Sequence, residues 1–527
     1  MKTAPIRIIT PEDQRHHKTL TARQRWVALV VLMLPVLLVS VDNTVLAFAI
    51  PSIAQALEPT GTQQLWVIDS YSLVLAGLLV PMGSLGDRLG RKKLLLIGAV
   101  GFTAVSAAAA FSPSAGWLIT ARATLGFFGA MLMPSTLSLI RNIFSDPNER
   151  RTAIAVWAAG FSGGAALGPI VGGFLLEHFT WGSVFLMAVP VLIPFLALAP
   201  FTIPESKDPH PGPVDLVSIL LAMLAMTPIV FAIKHIAEVG VDFLGTASFL
   251  LGLASGYFFV RRQLRRQRGG QIPMLDVGLF RNKVFTGAIA GNLLSILVMT
   301  GFIFFVSQHL QLVSGYAPMR AGIFLIPGLV LTIVSGLVIV RFVPRIHPAV
   351  IVAGSLLVNA TGYAVVFFTD NSATNAGLMI AFILLGLGVG AGETIANDLM
   401  LSAVPAEKAG AASAISETSY EVGSVLGTAL LGGVLTAVYR WNIELPAGLS
   451  PEQAHNAGET LGGATAVGHE IGGDVGAQLL ASAQHAFDSG VVWTAGISVV
   501  LMVGTSVMTY LMLRNHRVEE STAPAEK

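Results

Sequence analysis

The sequence predicts an all-α polytopic membrane protein with fourteen transmembrane helices and both termini cytoplasmic. Three observations lead there. Of 527 residues, 54% are hydrophobic and only 12% are charged, too little charge to cover a soluble protein of this length. Apolar stretches of about 20 residues, enough to cross a hydrocarbon core of about 30 Å, recur from end to end. The strands of a transmembrane barrel would be shorter and would alternate. Lysine and arginine then set the topology: with the N-terminus inside, 27 of the 31 fall in cytoplasmic segments, all but Arg122, Lys234, Arg320 and Arg440. One missed span would invert every later segment, so the asymmetry supports the count.

A polar leader, 1–25, precedes the first span at 26–50. The leader is long and Asp42 interrupts the apolar run, so Ala47-Phe48-Ala49 is not expected to serve as a signal cleavage site. Spans at 63–84, 94–111, 117–140, 152–176 and 183–203 complete a six-helix half, 26–203. The proline-rich stretch 204–214 reads as a linker. Spans at 215–235 and 242–260 carry no deep charge, with Lys234 placed at an outer end and Arg261 at an inner one, and are expected to be structural. The run Arg261-Arg262-Gln263-Leu264-Arg265-Arg266-Gln267-Arg268 reads as a topology anchor beside anionic lipid. Spans at 284–312, 321–340, 348–368, 376–400, 411–437 and 490–513 make a second half, 284–513, followed by a cytoplasmic tail, 514–527. The external stretch 438–489 sets Glu444, Glu452, Glu459, Glu470, Asp474 and Asp488 against Arg440. It reads either as a hairpin or short helices over the outer mouth, or as a solvated loop.

Several function classes are excluded. A net charge of +1 argues against a nucleic-acid partner, and the absence of cysteine removes disulfides and thiolate metal sites. No metal or cofactor is expected. No segment reads GxxxxGK[ST], so an ion gradient is the expected energy source. HExxH, paired histidines within a span and a Ser/His arrangement are all missing, so no enzyme activity is expected, and His235 reads as interfacial.

What the spans do hold is charge. An ionisable side chain at membrane depth is costly and usually faces a partner or a water-filled cavity. Helical rise puts Asp42 about 12 Å, and Asp69 and Arg122 about 8–9 Å, from the outer ends of their spans, where the three are expected to meet. Glu417 and Glu421 stand four apart on one helix face, about 9 and 15 Å from the inner end, with Tyr420 bordering them. Glu393 is a further candidate cavity acid, whereas Asp398 reads as interfacial. Removing a carboxyl from water disfavours its charged form, and a lipophilic cation beside it restores that form. Proton and cation then compete for one site, the minimum that antiport requires. Trp66, Tyr71 and Trp157 suit either stacking on a cationic dye or packing at the interface, with Tyr71 and Trp157 the deeper pair. Each charge also has a structural reading, as an ion pair or a solvated helix end. Candidate proton-coupling residues are Asp42, Asp69, Arg122 and Glu417; candidate substrate contacts are Asp42, Asp69, Tyr71, Trp157, Glu393, Glu417, Tyr420 and Glu421.

Three motifs carry a resemblance. Gly83-Ser84-Leu85-Gly86-Asp87-Arg88-Leu89-Gly90-Arg91-Lys92-Lys93 reads physically as a switchable ionic lock or as a basic topology loop, and resembles the signature loop of the major facilitator superfamily. Arg122-Ala123-Thr124-Leu125-Gly126-Phe127-Phe128-Gly129-Ala130 resembles that superfamily's arginine-containing fourth-helix motif, which the resemblance links to proton coupling. Gly164, Gly168, Pro169, Gly172 and Gly173 give the fifth span a small-residue face and a proline kink, suited to close packing. The Gly-Pro-x-x-Gly-Gly form resembles the antiporter signature of the superfamily's drug exporters.

The first span, from Val41 to Pro51, is similar to the first-helix motif of the fourteen-helix drug:proton antiporters, with Ala47 where those have asparagine. The likeness extends through Leu65–Leu73 and Ala406–Gly410. It implies two six-helix bundles with 215–260 between or beside them, alternating access, and a monomer in the bacterial inner membrane. The implied function is proton-coupled export of lipophilic cationic drugs, dyes and quaternary ammonium antiseptics. Some quaternary-ammonium exporters carry a further acid where Thr332 stands here, which would narrow the preference for divalent cations. The alternative is a proton-driven exporter of one metabolite, such as a siderophore, an amino acid or a lipid-like compound.

Overall fold

The computed structural model describes residues 20–144, 146–207, 215–271, 273–343, 345–368, 375–404 and 409–514. Most of the leader and tail, linker residues 208–214, the motif residues Ala406, Glu407 and Lys408, and the side chain of Asp87 lie outside the described residues. Every regular element among the described residues is helical. The first half contains α1 (Ala22–Leu57), α2 (Gly61–Leu89), α3 (Arg91–Ala109), α4 (Ala115–Ile143) and α5 (Pro147–His178). Its sixth segment breaks into α6 (Ser183–Leu186) and α7 (Ala188–Thr202). Then come α8 (Leu216–Val239) and α9 (Phe243–Arg268). The second half contains α10 (Lys283–Gln308), extended by a π-turn at His309–Val313, then α11 (Pro318–Ile339), α12 (Pro348–Phe368) and α13 (Asn375–Ser402). It continues with α14 (Ala409–Leu426), a π-turn at Gly427–Gly432, α15 (Gly433–Asn442), α16 (Pro451–Glu459), α17 (Leu461–Ile471) and α18 (Gly473–Leu513). Helices overlap all fourteen predicted segments, and twelve helical spans among the described residues are long and apolar enough to cross a membrane.

Local chemistry sets the helix ends. Thr21 and Thr60 cap α1 and α2 in reciprocal boxes with Gln24 and Gln63, satisfying amide groups that have no partner within the helix. Asp215 caps α8 through Ser218 and reaches across to α9, pairing with Arg262 at 2.9 Å and Arg266 at 2.5 Å. Burial opposes the charge on Asp215, but hydrogen bonds from Arg262 and Ser218 outweigh it and hold the carboxyl well below the usual carboxylate range. Part of the basic run therefore clamps α8 to α9 rather than only facing lipid.

Most of the stretch 438–489 is helical, with 443–450 joining α15 to α16 without regular structure, which favours short helices over a loop. The last helix starts at Gly473, well before the predicted 490. Glu459, at the end of α16, pairs with Arg440 and accepts the amide of Gly61 at 3.2 Å, pinning the short helices to the start of α2.

Within the first half α2 packs on α4, α1 on α5 and α3 on α4; within the second, α12 packs on α13 and α18, and α11 on α13. The halves meet along α5–α11, α2–α14 and α1–α10. The pair α8–α9 lies to one side, with α8 against α2 and α15. Only 17% of its apolar stretches is buried in protein, against 72% for α1, so lipid-facing surface dominates the pair.

Candidate functional site

Glycine determines how closely the central helices approach. A methyl group at Gly164 would lie 2.8 Å from Ser40 Cβ, and one at Gly168 would lie 2.9 Å from Thr44 Cβ, so α5 can meet α1 only without side chains there. Gly172 continues the stripe against Val45. Gly173 turns toward the other half, against Met319 and Pro318 of α11, while Gly322 of α11 receives the backbone of Pro169. The small-residue motif thus joins α5 both to its own half and to the opposite one.

The arginine motif works in the same way. Gly126 accommodates the backbone of Tyr71, and Gly129 accommodates its ring. Tyr71 fills that groove beneath Arg122, whose guanidinium sits 4.4 Å from the ring centroid. Arg122 Nη1 donates to Asp42 Oδ2 at 2.8 Å and Nε donates to the carbonyl of Val67 at 3.2 Å. Both charged side chains are buried, so the pair is held by hydrogen bonds with little water to weaken it.

Asp69 does not join them. Its Oδ2 lies 2.9 Å from Lys234 Nζ on α8, with both side chains at most 1% exposed. The expectation of one cluster of Asp42, Asp69 and Arg122 is corrected: Asp69 and Tyr71, two positions apart on a helix, point to different neighbours. Lys234 is corrected too. It is not at an outer end, because α8 continues to Val239 and turns the lysine onto α2.

Two cavities adjoin between the halves. One, of about 1200 Å³, is lined by Asn43, Thr44, Arg122, Thr332, Ser424 and Thr428 among others. The second, of about 1140 Å³, holds Glu393, Glu417 and Glu421 among Met133, Trp157, Asn292, Asn397 and Met400. Phe161, Glu393 and Tyr420 line both and form the partition. Trp157 stacks on Phe161, whose ring meets Tyr420 edge-on, so an aromatic run crosses from α5 to α14. No lysine or arginine lines the second cavity among the described residues. Glu421 lies beside Ser72 and within the field of Arg122, while its Oε2 is buried with no hydrogen-bond partner.

Glu393, Glu417, Tyr420, Glu421 and Trp157 therefore share one cavity, and Arg122 faces its neighbour. Asp42 lies behind Arg122 and lines neither cavity. Tyr71, expected to stack on cargo, is fully buried on Arg122 instead, and Asp69 faces α8. Sequence reasoning missed Phe161, Asn292, Asn397 and Lys234. The two asparagines were polar signals within apolar spans; Phe161 gave none, being one aromatic among many. No group of three or more potential ligands suited to a metal ion occurs among the described residues.

In the signature loop, Gly90 takes φ +110°, a conformation that favours glycine. A carboxylate from after α7, Glu205, accepts the amides of Lys92 and Lys93 at 3.1 and 3.2 Å, completing the N-terminus of α3. Gly83 packs near Pro134 of α4; Arg88 and Arg91 lie on either side of Gly90, Arg88 ending α2 and Arg91 starting α3.

Known proteins place this architecture. The family model described as Major Facilitator Superfamily matches residues 32–428. The chain is 53% identical over 496 residues to the multidrug efflux pump LfrA of Mycolicibacterium smegmatis, covering 94% of this chain and 98% of the relative. It is 35% identical over 481 residues to the methyl viologen resistance protein SmvA of Salmonella typhimurium, covering 90% and 94%. A bacterial homologue of the human lysosomal transporter Spinster, solved inward-facing and unoccupied, superposes with a TM-score of 0.65 at 19% identity, covering 94% of this chain and 98% of that one. The chain belongs to the major facilitator superfamily, as an integral transporter of the bacterial inner membrane and not an enzyme.

Proposed function

We propose that this transporter exchanges protons for lipophilic cations, moving drugs, dyes and quaternary ammonium antiseptics out of the cytoplasm or inner leaflet. One observation carries the reading: Glu393, Glu417 and Glu421 share a cavity walled by Trp157, Phe161, Tyr420, Met133 and Met400, with no basic residue in its described lining. Aromatic faces and thioethers suit a flat hydrophobic body, and carboxylates suit its charge. The relatives' names, multidrug efflux and methyl viologen resistance, support the same cargo, since methyl viologen carries two quaternary nitrogens.

In this reading all fourteen helices cross the membrane, both termini are cytoplasmic, and α16 and α17 cover the outer mouth. Bundles 26–203 and 284–513 rock about the central cavities, 215–260 lies beside them, and the monomer is the working unit. Glu417 and Glu421 hold protons when the cavity is empty of cargo. An entering cation favours their ionised form, and the protons leave. Asp42 couples this exchange to the conformational change through Arg122, which lines the first cavity and senses Glu421 from the second.

The test uses everted vesicles carrying a preformed proton gradient. Ethidium or a quaternary ammonium compound should dissipate it in vesicles with the protein and not in vesicles without it. Dissipation by a single metabolite, with none by any cationic dye, would overturn this reading in favour of a dedicated metabolite exporter.

A further inference from the structure

The ammonium of Lys234 sits in a site built for a cation. It lies 4.2 Å over the ring of Trp66 and 2.9 Å from Asp69 Oδ2, and its side chain has no exposed surface. An aromatic face and a carboxylate around a dehydrated ammonium are the contacts an exporter of organic cations offers its cargo. Here the cation is tethered to α8, a helix outside both bundles. Thr428, in the π-turn that follows α14, neighbours Asp69 and also lines the first cavity, so one residue separates the tethered pair from the cargo path. π-turns within helices recur at working sites.

We propose that Lys234 is a captive counter-cation for Asp69, released when Asp69 takes a proton, and that α8 consequently moves during the transport cycle. The physics is one of exclusion. Lysinium and carboxylate together leave no net charge in the buried site. A proton on Asp69 leaves the ammonium with only the Trp66 face, a weak substitute for a charge partner, so protonation and the docked position of Lys234 are incompatible. Of the described charged and titratable groups on the elements packed against α8, Arg262 and Arg266 of α9 are held by Asp215 at the far end of the pair, and Tyr439 of α15 donates to the carbonyl of Ala457. Asp69 faces it from α2. His235 pairs with Asp242 at the turn into α9, and Arg440 at the end of α15 is tied to Glu459. Among the described residues, Asp69 is the one acid paired with Lys234.

The helices run antiparallel with Asp69 opposite Lys234, and Leu73 and Val230 share the next cluster along. The chain has no cysteine, so a Leu73→Cys, Val230→Cys pair reports on this contact without background. In full-length protein in vesicles, its cross-linking rate should exceed that of the same pair in an Asp69→Asn background by about tenfold at high pH. The two rates should converge as pH falls, the mutant background cancelling the intrinsic pH dependence of the thiols. Transport by the oxidised pair should be blocked and return with reductant. A rate ratio that is constant with pH, or normal transport by the cross-linked protein, overturns the proposal. The transport arm rests on the proton–cation exchange proposed above, whereas the cross-linking arm does not. If the parent protein moves no protons with any cation, that exchange has failed, and the pH-dependent ratio still decides the role of Lys234.

Discussion

Replacing Gly173 by alanine should shift the transporter between conformations while leaving each half folded. The added methyl would lie 2.8 Å from the backbone nitrogen of Met319 and 2.9 Å from the carbonyl oxygen of Pro318. Ordinary contact needs about 3.5 Å, and neither neighbour is a side chain that can rotate away. The clash falls between α5 and α11, which belong to different halves, so it penalises their approach and not the packing within either. Overpacking of this size costs about 1–3 kcal/mol, which shifts a two-state equilibrium about 5- to 150-fold. Gly173 lies near the end of α5 and Pro318 at the start of α11; in the proposed topology that is the outer side, so the shift favours the outward-open state. A single cysteine replacing Ser424, which lines the first cavity, should then react at least about five times faster with a membrane-impermeant thiol reagent added outside. Gly163→Ala provides the control, because a methyl there meets nothing within 4 Å. Equal labelling of the two variants would show that α5 and α11 do not separate at Gly173, and the gating role of the small-residue motif would fall.

Three further outcomes follow from the site. Asp42→Asn removes the charge that holds Arg122 but keeps an acceptor, so the protein should still reach the membrane while cation-driven proton release drops at least about a hundredfold, consistent with 3–5 kcal/mol for breaking a buried pair; release at the parental rate would move the coupling role elsewhere. Phe161→Ala interrupts the aromatic partition between the cavities and should raise the KM for ethidium about three- to thirtyfold with little change in kcat, from cation–π losses of about 0.5–2 kcal/mol; an unchanged KM would put cargo outside the partition. Asp215 has a depressed folded value, so its contribution is complete above the unfolded carboxylate value near 4 and is lost only as pH falls through the folded one. Asp215→Asn should therefore lower thermal stability and leave the transport pH profile between about 5.5 and 8 unmoved; a shifted profile would mean that the α8–α9 clamp takes part in proton exchange.

Legibility in the sequence differed by feature. Glu417 and Glu421 could be placed on one face because helical periodicity is local, and the cavity receives both. Hydropathy placed the start of the second span at 63, two residues inside α2, whose first turn the structure closes with a capping box of Thr60 and Gln63. The true end of α8 was harder to see. Isoleucine, alanine, glutamate and valine after His235 can extend a helix or leave it, and hydropathy alone stopped the span at 235. Four residues of error put a fully buried lysine at the interface. In 438–489 the acidic composition suited a loop and short helices equally, until Glu459 found Arg440 and the amide of Gly61.

Helical class, membrane setting and the residues whose charge needed explaining were legible from the chain alone, because apolar length, backbone satisfaction in lipid and the cost of buried charge are properties of single segments. The partners came from packing between segments. Asp42 took Arg122 and Asp69 took Lys234, although Asp69 and Arg122 are at similar depth, because the rotation of each helix about its axis decides which neighbour a side chain meets. That rotation is set by glycine-lined contacts such as Gly126 against Tyr71 and Gly168 against Thr44, between segments far apart in the chain.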